Sequence, residues 1–560
     1  MKELIRTNNN TDDETAFLYN GLDCRITLEV MRQLRASFNP NTISTYNFEL
    51  ALQAPLADAM LRGFRIDSQQ RFRMSSAITK DLTATNEAIN EMALAIWNQP
   101  LNPASPLQLG KFFYDYMGLP KVTNYKTGNN TTNREALEKL IANDAALDAR
   151  PILNLILFQR DLTKQIQFLK SGIHPDGRCR TSFNIAGTDT GRLSSNGSIF
   201  GGGVNFQNIN DKMRCIYLPD PGCKYAYFDL PQAESRNVGA EVFIKFGDST
   251  YLDACEAGDL HTTVAQMVWP ELPWYVENSE NANGQNMVAN MPGLPVLVPV
   301  TGLDNDPGII VPSMPEPRKT IHMDAKAIGK FNKKVAGTKF YRDWSYRDLA
   351  KRGGHLTNYL GTPPTMAKAL KIATSIAAAF QQKYLHEAFP GIHQLHLWVA
   401  AELIEKGMLV TIPERERNFF GRKKEKATVR LAMAHLHQSS IADTLNAGML
   451  NVWRNVCNAE KYRGRVHLLG QLHDAILVQY PIGWEDEVCT DIFKHLQITH
   501  NIKDPAGHER PFTMVSDLKT GFNFGSVQYD KQGNVVGNQS GLKEYKIGQG
   551  DSRNEEFLHG

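Results

Sequence analysis

No two of the seven cysteines stand close enough to make a CxxC pair, and their odd number leaves one over from any full set of bridges. That usage argues against a disulfide framework and for reduced thiols in a cytosolic, cytoplasmic setting. An excess of one charge is missing too: 61 Lys and Arg face 59 Asp and Glu, a net +2. Bulk charge therefore recruits no polyanion, and any such site must come from local clustering. No apolar run approaches ~18 residues, so no membrane-spanning helix is expected. The opening MKELIRTNNNTDDE is too polar for a signal peptide. Internal repeats and low-complexity tracts are absent as well.

What remains is an ordinary globular composition, 42% hydrophobic and 21% charged, in a chain of 560 residues that is too long for one core. Helical periodicity runs through 15–38, 43–63, 76–100, 133–147 and 151–170, with FRID after Gly63 reading as a short strand. The section 171–229 turns to short β-like runs and turn residues, which suits an α+β domain. Residues 270–317 hold nine of the 27 prolines and an Asn-rich patch, and read as an insertion with short local structure. Helices return from 340 to about 406, a hairpin-like stretch follows, 428–460 is helical, and VHLLGQLHDAILVQYP reads as strand–turn–strand.

Two aspartates stand out. YAYFDLPQAESR ends an aromatic β-rich run at Asp229, and LGQLHDAILVQY places Asp474 in a tight turn between apolar strands. Two carboxylates aimed at one point from a strand end and a hairpin tip suit two-metal phosphoryl transfer, with ions roughly 4 Å apart. Magnesium is content with few carboxylates plus waters and substrate phosphates. Either aspartate alone reads equally as a plain turn residue. A third stretch, RDLAKRGGHLTNYLG, spaces Arg347, Lys351, His355 and Tyr359 four apart on one helical face. Gly353-Gly354 interrupts it at a cost of roughly 2 kcal/mol against alanine. Close approach of backbone or nucleotide, or bending, would explain the pair. His435/His437 and His393/His396 lack a third ligand at metal spacing, so no structural zinc is expected.

Together these segments resemble the three polymerase motifs of family A DNA polymerases, the bacterial DNA polymerase I type, and particularly their phage relatives. DLPQAESR is similar to the family's DYSQIELR, matching at Asp229, Gln232, Glu234 and Arg236. RDLAKRGGHLTNYLG resembles the second motif, and LHDA the third, matching at His473 and Asp474. TGRLSS (190–195), NFQNI (205–209), GDLHT (258–262), the helix carrying Arg430, Gln438, Ala442 and Asp443, and the phrases SPLQL, TTNREALEKL and FQRDLTK follow in family order. The resemblance spans about 15 to 527.

It implies an α+β right-hand fold with an antiparallel palm sheet, helical fingers and a helical thumb. The expected divisions are an exonuclease remnant at 1–38, thumb and base at 39–170, palm at 171–237 and 416–527, fingers at 238–415 with an insertion at about 270–340, and a mobile C-terminal tail at 528–560. By resemblance Asp229 and Asp474 are catalytic and hold two Mg2+ ions, for which Mn2+ can substitute, with the Leu230 carbonyl as a further ligand. Gln232, Glu234, His261, Arg347, Lys351, His355 and Tyr359 would bind the dNTP, with Glu234 excluding a 2′-hydroxyl. Arg192, Asn205, Gln207, Asn208, Arg430, Gln438 and His473 would line primer and template, where minor-groove acceptors are nearly the same for every pair. The local basic runs, 421–430 and the lysines between 330 and 339, read either as phosphate contacts or as solvated faces.

Four departures from the family pattern sharpen these expectations. Only YNGLD (19–23) resembles the proofreading exonuclease, so proofreading is not expected from this chain, and a separate exonuclease subunit or processivity factor is a candidate partner. His355 stands where the family has Phe or Tyr. Gly361 comes one residue late, after Leu360. His261 and Arg347 lie much farther apart than the family needs. Competing readings are a single-subunit RNA polymerase and a catalytically inactive DNA-binding scaffold.

Overall fold

The computed structural model describes residues 12–124, 127–275, 292–298, 309–315, 325–341, 344–530 and 532–558. Three buried cores organise it. The largest surrounds a five-stranded antiparallel sheet in the order His467–Leu472, Ala475–Pro481, Cys223–Asp229, Asp517–Gly521, Lys543–Glu544. Ala475–Pro481 (AILVQYP) is buried at every position but the last, because helices Ser440–Val452 and Glu485–Leu496 pack into the same core. A continuous apolar run rather than an alternating one is what a strand with both faces covered requires.

The second core is helical and runs from Val238 to Leu436 in sequence. Within it, helix Tyr346–Asn358 is continuous through both glycines, started by a capping box between Ser345 and Asp348. The glycines face aromatic rings: a Cβ on Gly353 would lie 2.9 Å from Phe380 Cε1, and one on Gly354 would lie 3.4 Å from the Tyr384 ring. Close packing of this helix against aromatic side chains, which was not among the expected reasons, accounts for the pair. The helix ends in a Schellman motif, Leu360 N–H donating to Thr357 O and Gly361 N–H to Leu356 O. The late glycine leaves Leu360 in the left-handed region at φ 60°.

The third core lies between the long helices Ser68–Trp97 and Arg150–Lys170 and the shorter elements that join them, centred on Leu109, Phe112, Phe113, Leu137 and Leu153. Asp67 caps Ser68–Trp97 by accepting from Gln70 N–H, so this helix starts at 68 rather than at the expected 76. Ahead of it, helix Asp12–Arg35 is exposed nearly throughout, Tyr19 and Asp23 included.

Within the expected insertion, strands Pro292–Val298 and Ile309–Pro315 pair with each other, and helix Ala325–Ala336 returns Val335 and Ala336 to the second core. The flanks meet at a buried clamp: Tyr275 N–H donates to Asn332 Oδ1 (2.9 Å), and Asn332 Nδ2 donates to Tyr275 O (3.2 Å).

The expectation of a mobile tail at 528–560 fails. Lys543–Glu544 forms the edge strand of the central sheet, Phe557 stacks on Phe522 at 3.9 Å, and Asp551 is buried against Lys224. Gly, Asn and charge read as tail from composition. The partner that fixes them, a fully buried lysine on the sheet's central strand, is remote in sequence. Lys224 Nζ reaches Asp551 (2.7 Å), Glu485 (2.9 Å) and Asn554 (3.0 Å).

Candidate active site

Register brings the two aspartates together. Asp229 ends its strand opposite Ala475 on one side and Asp517 on the other, so Asp474 lies one residue beyond the pairing partner. The Leu230 N–H donates to the Asp474 carbonyl (3.0 Å) and locks the two strand ends. His473 takes φ 51° to turn the hairpin. Burial pushes both carboxyls above the usual aspartate range. Asp474 and Asp517 reinforce this at Asp229 while Lys519 opposes it; at Asp474, Glu234 reinforces and Arg192 opposes. Oxygen donors held close, buried and mutually repelling are the environment a hard divalent cation relieves.

Pro231 follows, Gln232 adopts φ 57°, and helix Ala233–Phe246 begins, carrying Glu234 in its first turn. Glu234 is held from both sides. Arg192 Nη2 lies 3.1 Å from Glu234 Oε1 and 3.3 Å from Asp474 Oδ1, and His355 Nδ1 lies 3.2 Å from Glu234 Oε2. The Tyr359 ring sits between His355 (5.0 Å) and His437 (5.8 Å). Its phenol is pushed far above its ordinary value by burial, with Glu234 adding to the effect. His437 lies in a π-helical turn, His435–Ser439, which interrupts the helix between Lys426–Ala434 and Ser440–Val452.

A cavity of about 620 Å³ opens here, lined by Leu230, Gln232, Glu234, His261, Lys351, His355 and Asp474 among others. One turn before Lys351 on the same helix, Arg347 is bidentate to Asp259 (3.0 and 3.1 Å). Burial, reinforced by the Arg347 charge, lowers His261 to about 4, so it is a neutral imidazole at pH 7. That replaces the expected third cation with a neutral hydrogen-bonding group. Among the described residues Lys351 has no ion pair.

Residues 72–280 and 334–506 match the family model of DNA polymerase family A. The chain belongs to DNA polymerase family A. The unmatched stretch, 281–333, coincides with the proline-rich insertion. The DNA polymerase I of Geobacillus stearothermophilus is 25% identical over 505 residues, 86% of this chain and 45% of that protein. The thermostable DNA polymerase I of Thermus thermophilus is 30% identical over 238 residues, 40% of this chain and 26% of that protein. The chain thus spans less than half the length of these relatives. The solved POL domain of Pol1 from M. smegmatis, in complex with DNA primer-template and dNTP, aligns with TM-score 0.61 at 21% identity over 85% of this chain and 70% of that one. The α+β right-hand fold is shared.

Within this family fold the remaining expected residues divide. Asn208, Arg430 and His473 are exposed, and Gln438 lies beside the Tyr359 phenol. Asn205 accepts from the Ser195 hydroxyl (2.6 Å), and Gln207 Nε2 donates to Leu193 O (3.1 Å). Both amides therefore brace the loop that carries Arg192. Sequence reading missed Asp259, although GDLHT contains it, and Asp517, which nothing local singles out. It also missed what fixes Arg415, which is bidentate to Asp443 and bonded to Glu49 (2.8 Å), tying the hairpin Met408–Val410/Glu416–Asn418 to helix Ser440–Val452. No helix among the described residues is long and apolar enough to cross a membrane.

Proposed function

We propose that this chain is a DNA-directed DNA polymerase that extends a primer 3′-hydroxyl with dNTPs. The observation that carries the reading is the pairing register that sets Asp229 beside Asp474, itself on the wall of a cavity that Lys351 and His261 also line. The hydroxyl oxygen bonds to the α-phosphorus, the bond to the β-phosphate oxygen breaks, the hydroxyl proton departs, and pyrophosphate leaves. Asp229, Asp474 and the Leu230 carbonyl would hold two Mg2+ ions, or Mn2+ in their place; these supply charge neutralisation at the attacking and leaving oxygens. Little covalent work is left to side chains, which position and neutralise. Lys351 and Arg347 hold the triphosphate, Arg347 exchanging its Asp259 partner for phosphate or sharing it. His261 donates a neutral hydrogen bond. Glu234, clamped by Arg192 and His355, crowds the sugar 2′ position, with Gln232 and Tyr359 completing that wall. Arg192, Asn208, Arg430, Gln438 and His473 face primer and template, and Asn205 and Gln207 support them.

The second and third cores serve as fingers and thumb around the palm, with 281–333 inserted in the fingers. The exposed setting of Tyr19 and Asp23 supports a further reading, that proofreading is not performed by these residues and resides either on a separate polypeptide or in another part of a longer protein. Primer extension by the pure chain tests the function: incorporation of dNTPs opposite a template, lost in Asp474→Ala, is expected. Extension with ribonucleotides at comparable efficiency would instead mark an RNA polymerase, and absence of extension a scaffold. Magnesium-dependent 3′→5′ degradation by the pure chain would overturn the proofreading assignment.

A further inference from the structure

Of the histidines that lack metal spacing, His437 has another use. It is fully buried within the π turn His435–Ser439, and its ring meets that of Tyr359 at 87° with centroids 5.8 Å apart. Tyr359 in turn meets the His355 ring at 5.0 Å, and its phenol lies beside Glu234. A chain of three rings thus joins the π turn to His355, whose Nδ1 is 3.2 Å from Glu234 Oε2.

The His437 ring is itself set by a neighbouring helix. Asn237 Nδ2 donates to Leu436 O (3.2 Å) and lies 3.3 Å from His437 Nδ1. An amide nitrogen can only donate, so Nδ1 accepts and the ring carries its proton on Nε2. Burial, with the His396 and His355 charges adding to it, lowers His437 to about 3, so the ring is neutral at pH 7. Nε2 makes no hydrogen bond among the described residues, which leaves packing as the content of the contact with Tyr359. The backbone beside Tyr359 is fixed separately. Asn358 Nδ2 donates to the Tyr251 hydroxyl (3.1 Å), Asn358 Oδ1 accepts from the Tyr384 hydroxyl (2.9 Å), and His396 Nε2 lies 3.1 Å from Asn358 O. What is left to settle at Tyr359 is the rotation of its side chain, and the ring against it is His437.

We propose that His437 is a positioning residue for sugar selection: its ring holds the Tyr359 side chain, and through it the wall that Tyr359, His355 and Glu234 present to the sugar 2′ position. His437 does not line the cavity, so its influence passes through Tyr359. The inference rests on the polymerase reading above, and its test separates the two.

The full-length chain is assayed by primer extension with dCTP and with CTP opposite a template guanine. His437→Asn keeps an acceptor for Asn237 but removes the ring. The ratio of kcat/KM for dCTP over CTP should fall about twofold to tenfold, the range of one edge-to-face ring pair, with KM for dCTP raised more than kcat is lowered. His437→Phe, which keeps a ring edge against Tyr359, should retain most of the ratio. Asn237→Leu, which unfastens the ring without removing it, should shift the ratio in the same direction as His437→Asn. In a Tyr359→Leu background His437→Asn should change the ratio no further, because the two act as one unit. Leu403→Ala, a truncation in the core of helix Pro390–Glu405, controls for lost stability and should lower Tm without moving the ratio. An unaltered ratio in His437→Asn, an equal fall in His437→Phe or Leu403→Ala, or a further fall in the Tyr359→Leu background would overturn the role. Failure of the wild type to extend with dCTP would instead refute the polymerase reading.

Discussion

The Nδ1 of His355 lies 3.2 Å from Oε2 of Glu234, so a ring at the family's Phe or Tyr position sits at ion-pair distance from the carboxylate expected to screen the sugar. The other Glu234 oxygen is held by Arg192. His355→Phe keeps a ring but removes the donor. The ratio of kcat/KM for dCTP over CTP should fall by about twofold to fivefold, the range of a solvent-exposed ion-pair contact, because His355 is half-exposed. His355→Gln, which retains a donor, should recover part of the ratio. An unchanged ratio in His355→Phe would sink the idea.

Asp229 and Asp474 have folded-state pKa values raised by burial. A raised carboxyl favours the protonated folded form, so the stability it contributes is present below the unfolded pKa and is lost as pH rises through the folded one. At pH 7.5 without divalent metal both are therefore destabilising. Asp229→Asn should raise the metal-free Tm by about 1 °C for each kcal/mol relieved in a chain of this size, while abolishing primer extension. Magnesium should raise the wild-type Tm more than that of the variant. A lower metal-free Tm in Asp229→Asn would contradict this.

Lys224 is fully buried between Asp551 and Glu485. Lys224→Met leaves Glu485 without its cation and Asp551 with Arg553 and Lys543 alone, a loss of about 3–5 kcal/mol for a broken buried pair. Limited proteolysis should then cut between 530 and 558, where wild type is protected. Burial raises Asp551, but hydrogen bonds and charge from Arg553 and Lys224 outweigh it and hold the carboxyl well below the usual aspartate range. Its stabilisation is thus present above the unfolded pKa and lost in acid as pH falls through the folded one. Wild-type proteolysis of this segment at neutral pH would refute the buried anchor.

Gly353→Ala offers a contest of magnitudes. Alanine gains about 1 kcal/mol of helix propensity, but its methyl would sit 2.9 Å from Phe380 and 3.1 Å from Leu349. Overpacking typically costs 1–3 kcal/mol, so Tm should fall, with Gly354→Ala milder at 3.4 Å from Tyr384. A Tm several degrees higher in Gly353→Ala would show that the rings yield.

The sheet strands and their two aspartates were legible because short-range pattern and chemistry coincide there: apolar runs, a turn, and a carboxylate at each end. The cationic face of Tyr346–Asn358 was legible from its four-residue spacing. What escaped was set by distant partners. Asp517 joins the site through its register against Asp229, Asp259 through its pairing with Arg347, and 543–558 through Lys224, the edge-strand pairing and the Phe522 ring. Composition carries no trace of such pairings, which is why the C-terminal stretch read as loose chain. Leu360 in a left-handed turn follows from one displaced glycine, a departure visible in sequence whose meaning needed the Schellman bonds.

The clamp between Tyr275 and Asn332 closes the insertion at a neck. Since lengthening a closed loop twofold costs only about 0.6 kcal/mol, a change of length between these two residues is cheap in chain entropy, and what ties the stretch to the fold is the packing of helix Ala325–Ala336 on the second core.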